Sequence, residues 1–148
     1  MELTWRCATF NELSVHELYA IMRLRSEIFV VEQNCVFLDA DDKDQFCHHL
    51  AAWHNNNLVA YARLVPPGIA YPEMSIGRVI TAKQYRGSGA GKQLLQNAII
   101  NCTLIFGKKT IKIGAQLYLK KFYESFGFQQ IGEHYMEDGI EHLHMWRF

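Results

Sequence analysis

Apolar positions along the chain switch repeatedly between an alternating and a helical period. Residues 4–9 (TWRCAT) alternate as a short first strand. Ser14-Val-His-Glu17 then forms a capping box, in which the Ser hydroxyl and the Glu carboxylate cover free amides at a helix start. Beyond it Leu18, Ile21, Met22, Arg25, Ile28 and Phe29 fall at helical spacing, predicting a helix from about 15 to 31. Residues 47–53 (CHHLAAW) and 58–65 (LVAYARLV) read as two strands joined by Asn55-Asn56-Asn57, since Asn tolerates the positive backbone angles of a tight hairpin. A Pro/Gly loop, Val65-Pro-Pro-Gly68, leads to a strand over 74–81 (MSIGRVIT). A glycine-rich turn follows, then a helix with Leu94, Leu95, Ala98, Ile99 and Cys102 on one stripe. Residues 110–115 (TIKIGA) form a fifth strand. A helix over 117–126 carries Leu119, Phe122, Tyr123 and Phe126, with Gly127 as its C-terminal stop. Two last strands, 129–136 and 141–147, flank the hairpin turn Glu137-Asp138-Gly139.

About seven strands and three helices, with hairpins on either side of a strand–helix–strand–helix centre, imply an α/β sandwich. The expected sheet is mixed and mostly antiparallel, with helices on both faces, in a single domain spanning 1–148. With 49% hydrophobic and 20% charged residues the chain has enough apolar material for a core, which excludes a disordered chain. No stretch of about 18 apolar residues offers a membrane span, and the N-terminus lacks the basic start and apolar run of a signal peptide. A membrane partner is therefore not expected, and the expected compartment is the cytoplasm. Fifteen basic residues balance fifteen acidic ones, so the basic excess usual in a nucleic-acid binder is missing. The pattern leaves the oligomeric state open, a homodimer included.

Charge and chemistry are uneven along the chain. The acidic run Asp39-Ala-Asp-Asp-Lys-Asp44 is expected as a solvated loop, with attraction of a cationic amine, together with Glu32, as the functional alternative. Cys7, Cys35, Cys47 and Cys102 are scattered and form no close pair, so reduced thiols in or near a core are expected rather than a disulfide frame or a zinc site. His142 and His144 are two apart and share a strand face, but without a Cys pair or HExxH no metal is expected.

The informative segment is Arg86-Gly-Ser-Gly-Ala-Gly-Lys92, placed between a strand and a helix. Glycines let successive backbone N–H groups converge on an anion, and the helix dipole adds positive potential, so the fitting ligand is a phosphate. A Walker loop on Gly91-Lys92 would need Gly at 86 and Ser or Thr at 93, where the chain has Arg86 and Gln93. A GxGxxG fingerprint from Gly87 would need Gly at 92 and finds Lys. Arg-x-x-Gly-x-Gly on Arg86, Gly89 and Gly91 does fit, and RVITAKQYRGSGAGKQLL resembles the pyrophosphate-binding unit of the GNAT acyltransferase superfamily. Downstream, GAQLYLKKFYESFGF (114–128) resembles that superfamily's late motif. FVVEQNCVFLDADDKD, HHLAAW and EDGIEHLHMWR are similar to its ElaA-type subgroup, so the resemblance extends over nearly the whole chain.

The resemblance implies acetyl-coenzyme A as cofactor, released as coenzyme A, and an amine of a small molecule or peptide as acceptor. It implies cofactor contacts at Val79, Ile80 and Thr81, whose backbone would pair with the amide-rich pantetheine arm, and at Arg86, Gly87, Ser88, Gly89, Ala90, Gly91, Lys92 and Gln116. Strands 74–81 and 110–115 would be parallel neighbours that splay to admit that arm. Tyr123 matches the tyrosine that can protonate the departing thiolate, although its place in the Phe122–Phe126 stripe also suits plain packing. Many relatives carry an acid where this chain has Gly77, so the base is open: Glu32, His48 or His49, His142 or His144, or a water relay. His48 and His49 point to opposite strand faces, so at most one looks into a given site. Two functions compete: an amine N-acetyltransferase working by direct transfer, and a non-catalytic acyl-coenzyme A binding or sensing domain on the same fold.

Overall fold

The computed structural model describes residues 2–148. Its elements follow in the order β1 (Thr4–Thr9), α1 (Val15–Arg25), β2 (His48–His54), β3 (Asn57–Val65), β4 (Ser75–Thr81), α2 (Ala90–Phe106), β5 (Ile111–Gln116), α3 (Lys120–Glu124), β6 (Gln129–Glu137) and β7 (Ile140–Arg147). The strands make two antiparallel sheets, ordered β1-β2-β3-β4 and β5-β7-β6. Among the described residues a single parallel bridge, Met74 to Ile111, joins them, with the Lys112 amide donating to the Met74 carbonyl at 3.0 Å. Past that bridge β4 and β5 separate, as the splayed parallel pair was expected to do.

Both tight hairpins owe their register to left-handed residues. Asn55 and Asn56 (φ 48° and 64°) connect the paired His54 and Asn57, and Asp138 with Gly139 connects Glu137 and Ile140. Each pair matches the right-handed twist of its strands, so each antiparallel sheet sets its own alignment locally.

Two apolar clusters lie on opposite faces. One, beneath α2 and α3, joins Leu50, Ala62, Leu64, Ile76, Leu94, Leu95, Ile113, Phe128, Leu143 and Met145; the other, beneath α1, joins Ile21, Leu24, Ile28, Tyr61, Ile80 and Ala82. Ile76 and Ile80 share strand parity yet face opposite clusters, and a bulge is the reason. The β3–β4 register steps from Arg63–Gly77 to Tyr61–Ile80, inserting one extra residue, and Arg78 takes φ 51°.

The structure corrects the expected helices. The first does not run as one α-helix to residue 31; it ends at Arg25, and Ser26–Glu32 winds more widely, with the amides of Gln33 and Cys35 donating to Ile28 and Val30, five residues back. The third is a tight turn, Leu117–Leu119, followed by one short helix, Lys120–Glu124, because Gly127 at φ 92° stops the chain there.

The acidic loop is also corrected: it is a clamp rather than a solvated run. Arg25 is fully buried and donates Nε to Asp39 (2.8 Å), Nη1 to Asp44 (2.6 Å) and Nη2 to the Asp39 carbonyl (3.0 Å). Arg63 reaches Asp41 and Asp44, and Arg78 reaches Asp39 at 2.7 Å. Three guanidiniums face three carboxylates, so the charges cancel, and each buried ion finds partners enough to offset its desolvation. The Arg63 and Arg78 guanidiniums hold Asp41 well below the usual carboxylate range, and those of Arg25 and Arg63 lower Asp44, both against the opposing pull of burial.

Candidate functional site

α2 begins without a side-chain cap. Gly89, at φ 85°, occupies the N-cap position, and the first intrahelical bond is donated by Gln93 to the Gly89 carbonyl. The amides ahead of Gln93 in that first turn therefore lack helical acceptors and collect the positive end of a 17-residue helix. Gly87 (φ 81°) turns the chain into this end, and Ser88 is fastened by its hydroxyl donating to the Tyr85 carbonyl at 2.6 Å. A Cβ on Gly91 would stand 3.4 Å from Thr81 Oγ1, so the helix start and the end of β4 pack closely there. Ala90 is buried under the helix, while Lys92 is exposed beside it. The turn is a concave, uncapped, electropositive cradle of the kind that holds phosphate oxygens.

The cradle opens onto the separation between β4 and β5. Gly77 to Thr81 pair with β3 along one edge only, so Val79, Ile80 and Thr81 present an unused edge to the gap. The bulge at Arg78 re-aims this stretch. Arg78 itself is held by Asp39, with Phe29 and Phe37 at 5.9 and 5.8 Å from its guanidinium carbon. An unpaired strand edge of this kind can accept an extended amide-bearing chain as a guest strand.

The expected site residues are spread over several places. Arg86 sits at the cradle, where it donates Nη1 and Nη2 to the two oxygens of Glu32 at 2.6 and 2.8 Å. Glu32 is thus brought to the cradle by the wide helical turn, not to the acidic loop. Tyr123 is buried in the α2-side cluster, edge-on to Phe122 and Phe128; its hydroxyl makes no hydrogen bond to any described residue, and burial pushes its pKa upward. Gln116 lies on the opposite face of β5, donating Nε2 to Gln33 Oε1 at 3.3 Å.

His48 and His49 do point to opposite faces. His48 meets Phe106 edge-on at the far end of α2. His49 is buried in the arginine–aspartate clamp: its Nε2 donates to the Asp44 carbonyl at 2.9 Å, which leaves Nδ1 of the neutral ring to accept from the Tyr61 hydroxyl at 2.7 Å. Both nitrogens of His49 are occupied. Cys35, Cys47 and Cys102 are buried and free, and burial raises Cys47 to about 11 and Cys102 to about 12, so these two stay protonated thiols. Among the described residues no cluster of three or more His, Cys, Asp or Glu side chains is arranged for a metal.

Two features escaped sequence reasoning. One is the Arg78 bulge, which no local signal marks. The other is a group around Gly114 on β5, where the hydroxyls of Tyr135 and Tyr71 come to 2.8 and 2.9 Å of the point a Cβ would occupy. A lone glycine inside a strand is a signal of close approach, and it was available in TIKIGA.

Comparison with known proteins agrees with this geometry. Residues 29–147 match the acetyltransferase (GNAT) domain family. A UPF0039 protein of Synechocystis is 42% identical over 146 residues, 98% of this chain and 95% of that protein. Protein ElaA of Escherichia coli is 42% identical over 147 residues, 98% of this chain and 96% of ElaA, and its crystal structure superposes with a TM-score of 0.93 over 99% and 100% of the two chains. The crystal structure of an acyl-CoA N-acyltransferase from Pseudomonas aeruginosa superposes with a TM-score of 0.95 at 37% identity, over 99% of this chain and 100% of that one. With the uncapped cradle and the split sheet in place, these similarities make the chain a member of the GNAT acetyltransferase family, an acyl-CoA-dependent transferase of the ElaA type.

Proposed function

We propose that the protein acetylates a primary amine of a small molecule or peptide with acetyl-coenzyme A, by direct transfer while both substrates are bound. The observation that carries this reading is the split between β4 and β5 running into the uncapped N-terminus of α2. Gly87 to Lys92 hold the pyrophosphate through backbone amides, with Arg86 and Lys92 adding charge at the rim. Val79, Ile80 and Thr81 pair with the pantetheine amides, and Gln116 closes the far wall of the gap. When bound, acetyl-coenzyme A supplies the activated acetyl group. A backbone N–H of β4 past the bulge polarises the thioester oxygen as negative charge develops there.

Tyr123 donates the proton that the departing sulfur needs. Its raised pKa keeps the phenol protonated at neutral pH, as a donor must be. No helix is long and apolar enough to cross a membrane among the described residues. The cytoplasm is the compartment we propose, in keeping with four free cysteines.

Thiol release from acetyl-coenzyme A, followed across polyamines, amino acids, aminoglycosides and Lys peptides, tests the proposal. Release above background with one amine class supports it. Calorimetric binding of coenzyme A with no release for any amine identifies a non-catalytic acyl-coenzyme A sensor instead.

A further inference from the structure

Gly77 and Gly114 stand at the same height on either side of the split, each three residues past the Met74–Ile111 bridge. Ile76 and Ile113 point into the α2-side cluster, so both glycines open on the other face, toward α1. A Cβ on Gly77 would meet nothing within 4 Å, whereas the Gly114 position is ringed by the Tyr71 and Tyr135 hydroxyls, with His144 Cδ2 at 4.0 Å. The mouth of the gap is therefore open on the Gly77 side and walled on the Gly114 side by two phenols and one imidazole.

His144 reaches that wall by register. It pairs directly with Gly114 across the β5–β7 ladder. Two extra residues in β6, between the pairings Ile131–His144 and Tyr135–His142, set Tyr135 against both histidines, stacked on His144 at 4.6 Å and His142 at 5.7 Å. Tyr71 meets His144 edge-on at 5.7 Å. The two histidines differ in freedom. His142 is tied, its Nδ1 donating to the Ile140 carbonyl at 2.7 Å and its Nε2 3.6 Å from Glu137. His144 makes no side-chain hydrogen bond to any described residue, and its Cδ2, the carbon bonded to Nε2, is turned to the Gly114 position at the mouth.

On the acetyltransferase reading above, we infer that His144 is the general base, taking the proton of the acceptor ammonium at the mouth of the split. In this step the ammonium N–H breaks and Nε2 gains the proton. The free amine then forms its N–C bond to the thioester carbon as the C–S bond breaks. The nitrogen's surplus proton leaves through solvent, the sulfur takes the Tyr123 proton, Tyr123 is reprotonated from water, and His144 returns its own proton to water, so one proton is released per turnover. Tyr71 and Tyr135 orient the amine with their hydroxyls, which burial holds protonated, Tyr135 at about 12. The groups facing His144 are Lys112 on β5, Tyr135 and Glu137 on β6, His142 on β7 and Tyr71 before β4. Burial, reinforced by Lys112, lowers its pKa, so the ring is neutral and able to accept at pH 7.

The test uses the full chain with saturating acetyl-coenzyme A and three probes: spermidine, tyramine and a Lys-containing peptide. The parent's kcat/KM for the most active probe should lose activity along an acidic limb below about pH 6.5. His144→Gln should lower that value by about 10²–10⁴ at pH 7, leave coenzyme A affinity unchanged and replace the limb with a rate proportional to hydroxide. A variant that keeps the parent's limb and turnover within about threefold overturns the assignment. In the unmodified protein, the NMR titration midpoint of His144 should fall when coenzyme A and spermidine are added, because an ammonium beside the ring opposes its protonation; an unmoved midpoint overturns the assignment even if the variant misfolds. Coenzyme A binding with no thiol release from any probe by the parent fells the acetyltransferase reading itself, and the base with it.

Discussion

Glu32 and Arg86 meet in a two-pronged ion pair, 2.6 and 2.8 Å, that ties the last turn of the wide helical segment to the first residue of the glycine cradle. The pair lowers Glu32 and raises Arg86, each shift led by their mutual hydrogen bond. Both side chains are more than a third exposed, so the bond is weak, about 0–1 kcal/mol after solvent screening. A guanidinium engaged this way is withheld from a phosphate arriving at the same turn.

Glu32→Gln should therefore tighten coenzyme A binding by about two- to fivefold at low salt, the range such a pair spans. Calorimetry at two ionic strengths checks it. Equal affinity for parent and variant would show that Arg86 takes no part in holding phosphate.

Gly89→Val should fold yet lose coenzyme A affinity by about 10- to 100-fold, equivalent to one or two charge-assisted hydrogen bonds. Valine disfavours φ 85°, and its branches would cover the free amides of the helix start. Nothing lies within 4 Å of the position, so the substitution meets open space rather than core. A folded variant with unchanged affinity would remove the cradle from the cofactor site.

Tyr123→Phe keeps the edge-on packing against Phe122 and Phe128 and deletes only the hydroxyl. Turnover should fall by about 10²–10⁴ with coenzyme A affinity unchanged. Turnover within about threefold of the parent would leave Tyr123 a packing residue.

Arg25→Met should cost about 3–5 kcal/mol, because Asp39 and Asp44 stay buried with one partner fewer. Denaturant melts measure this loss, and a cost under about 1 kcal/mol would place the clamp's energy elsewhere.

The clamp also fixes how stability follows pH. Burial lowers His49, so below about pH 6.5 the unfolded chain binds that proton before the folded one and stability begins to fall. Asp41 and Asp44 are held below the ordinary carboxylate value, so their contribution is complete above about pH 4 and is lost as pH falls further. Thermal midpoints from pH 8 to 3 should decline in two stages, and a flat profile from 7 to 5 would contradict the His49 stage.

Much of this was legible in residue order. Asn55-Asn56 and Asp138-Gly139 announce their turns, and Ser14 with Glu17 marks a helix start that the structure repeats, Glu17 N–H donating to Ser14 Oγ at 3.0 Å. RGSGAGK stood out because no other phosphate motif fits it. The acidic loop misled because its partners, Arg25, Arg63 and Arg78, come from three separate elements and meet it only in the folded chain. The helix over 15–31 misled because a wide turn keeps nearly the apolar spacing of an α-helix while rotating Phe29 and Glu32 to new neighbours. The group at Gly114 depends on an irregularity in β6 that no periodicity encodes.

A single interstrand bridge holds the two sheets edge to edge, and that has a bearing on how this architecture can diversify. Each sheet keeps its own hairpin, so lengthening one hairpin leaves the alignment across the other undisturbed. The phosphate cradle follows the N-terminal sheet, and Tyr135, His142 and His144 ride on the C-terminal one. On the proposed function, donor and acceptor preference thus reside on parts of the chain that can drift separately, so that one descent line could keep its coenzyme while changing the amine it serves.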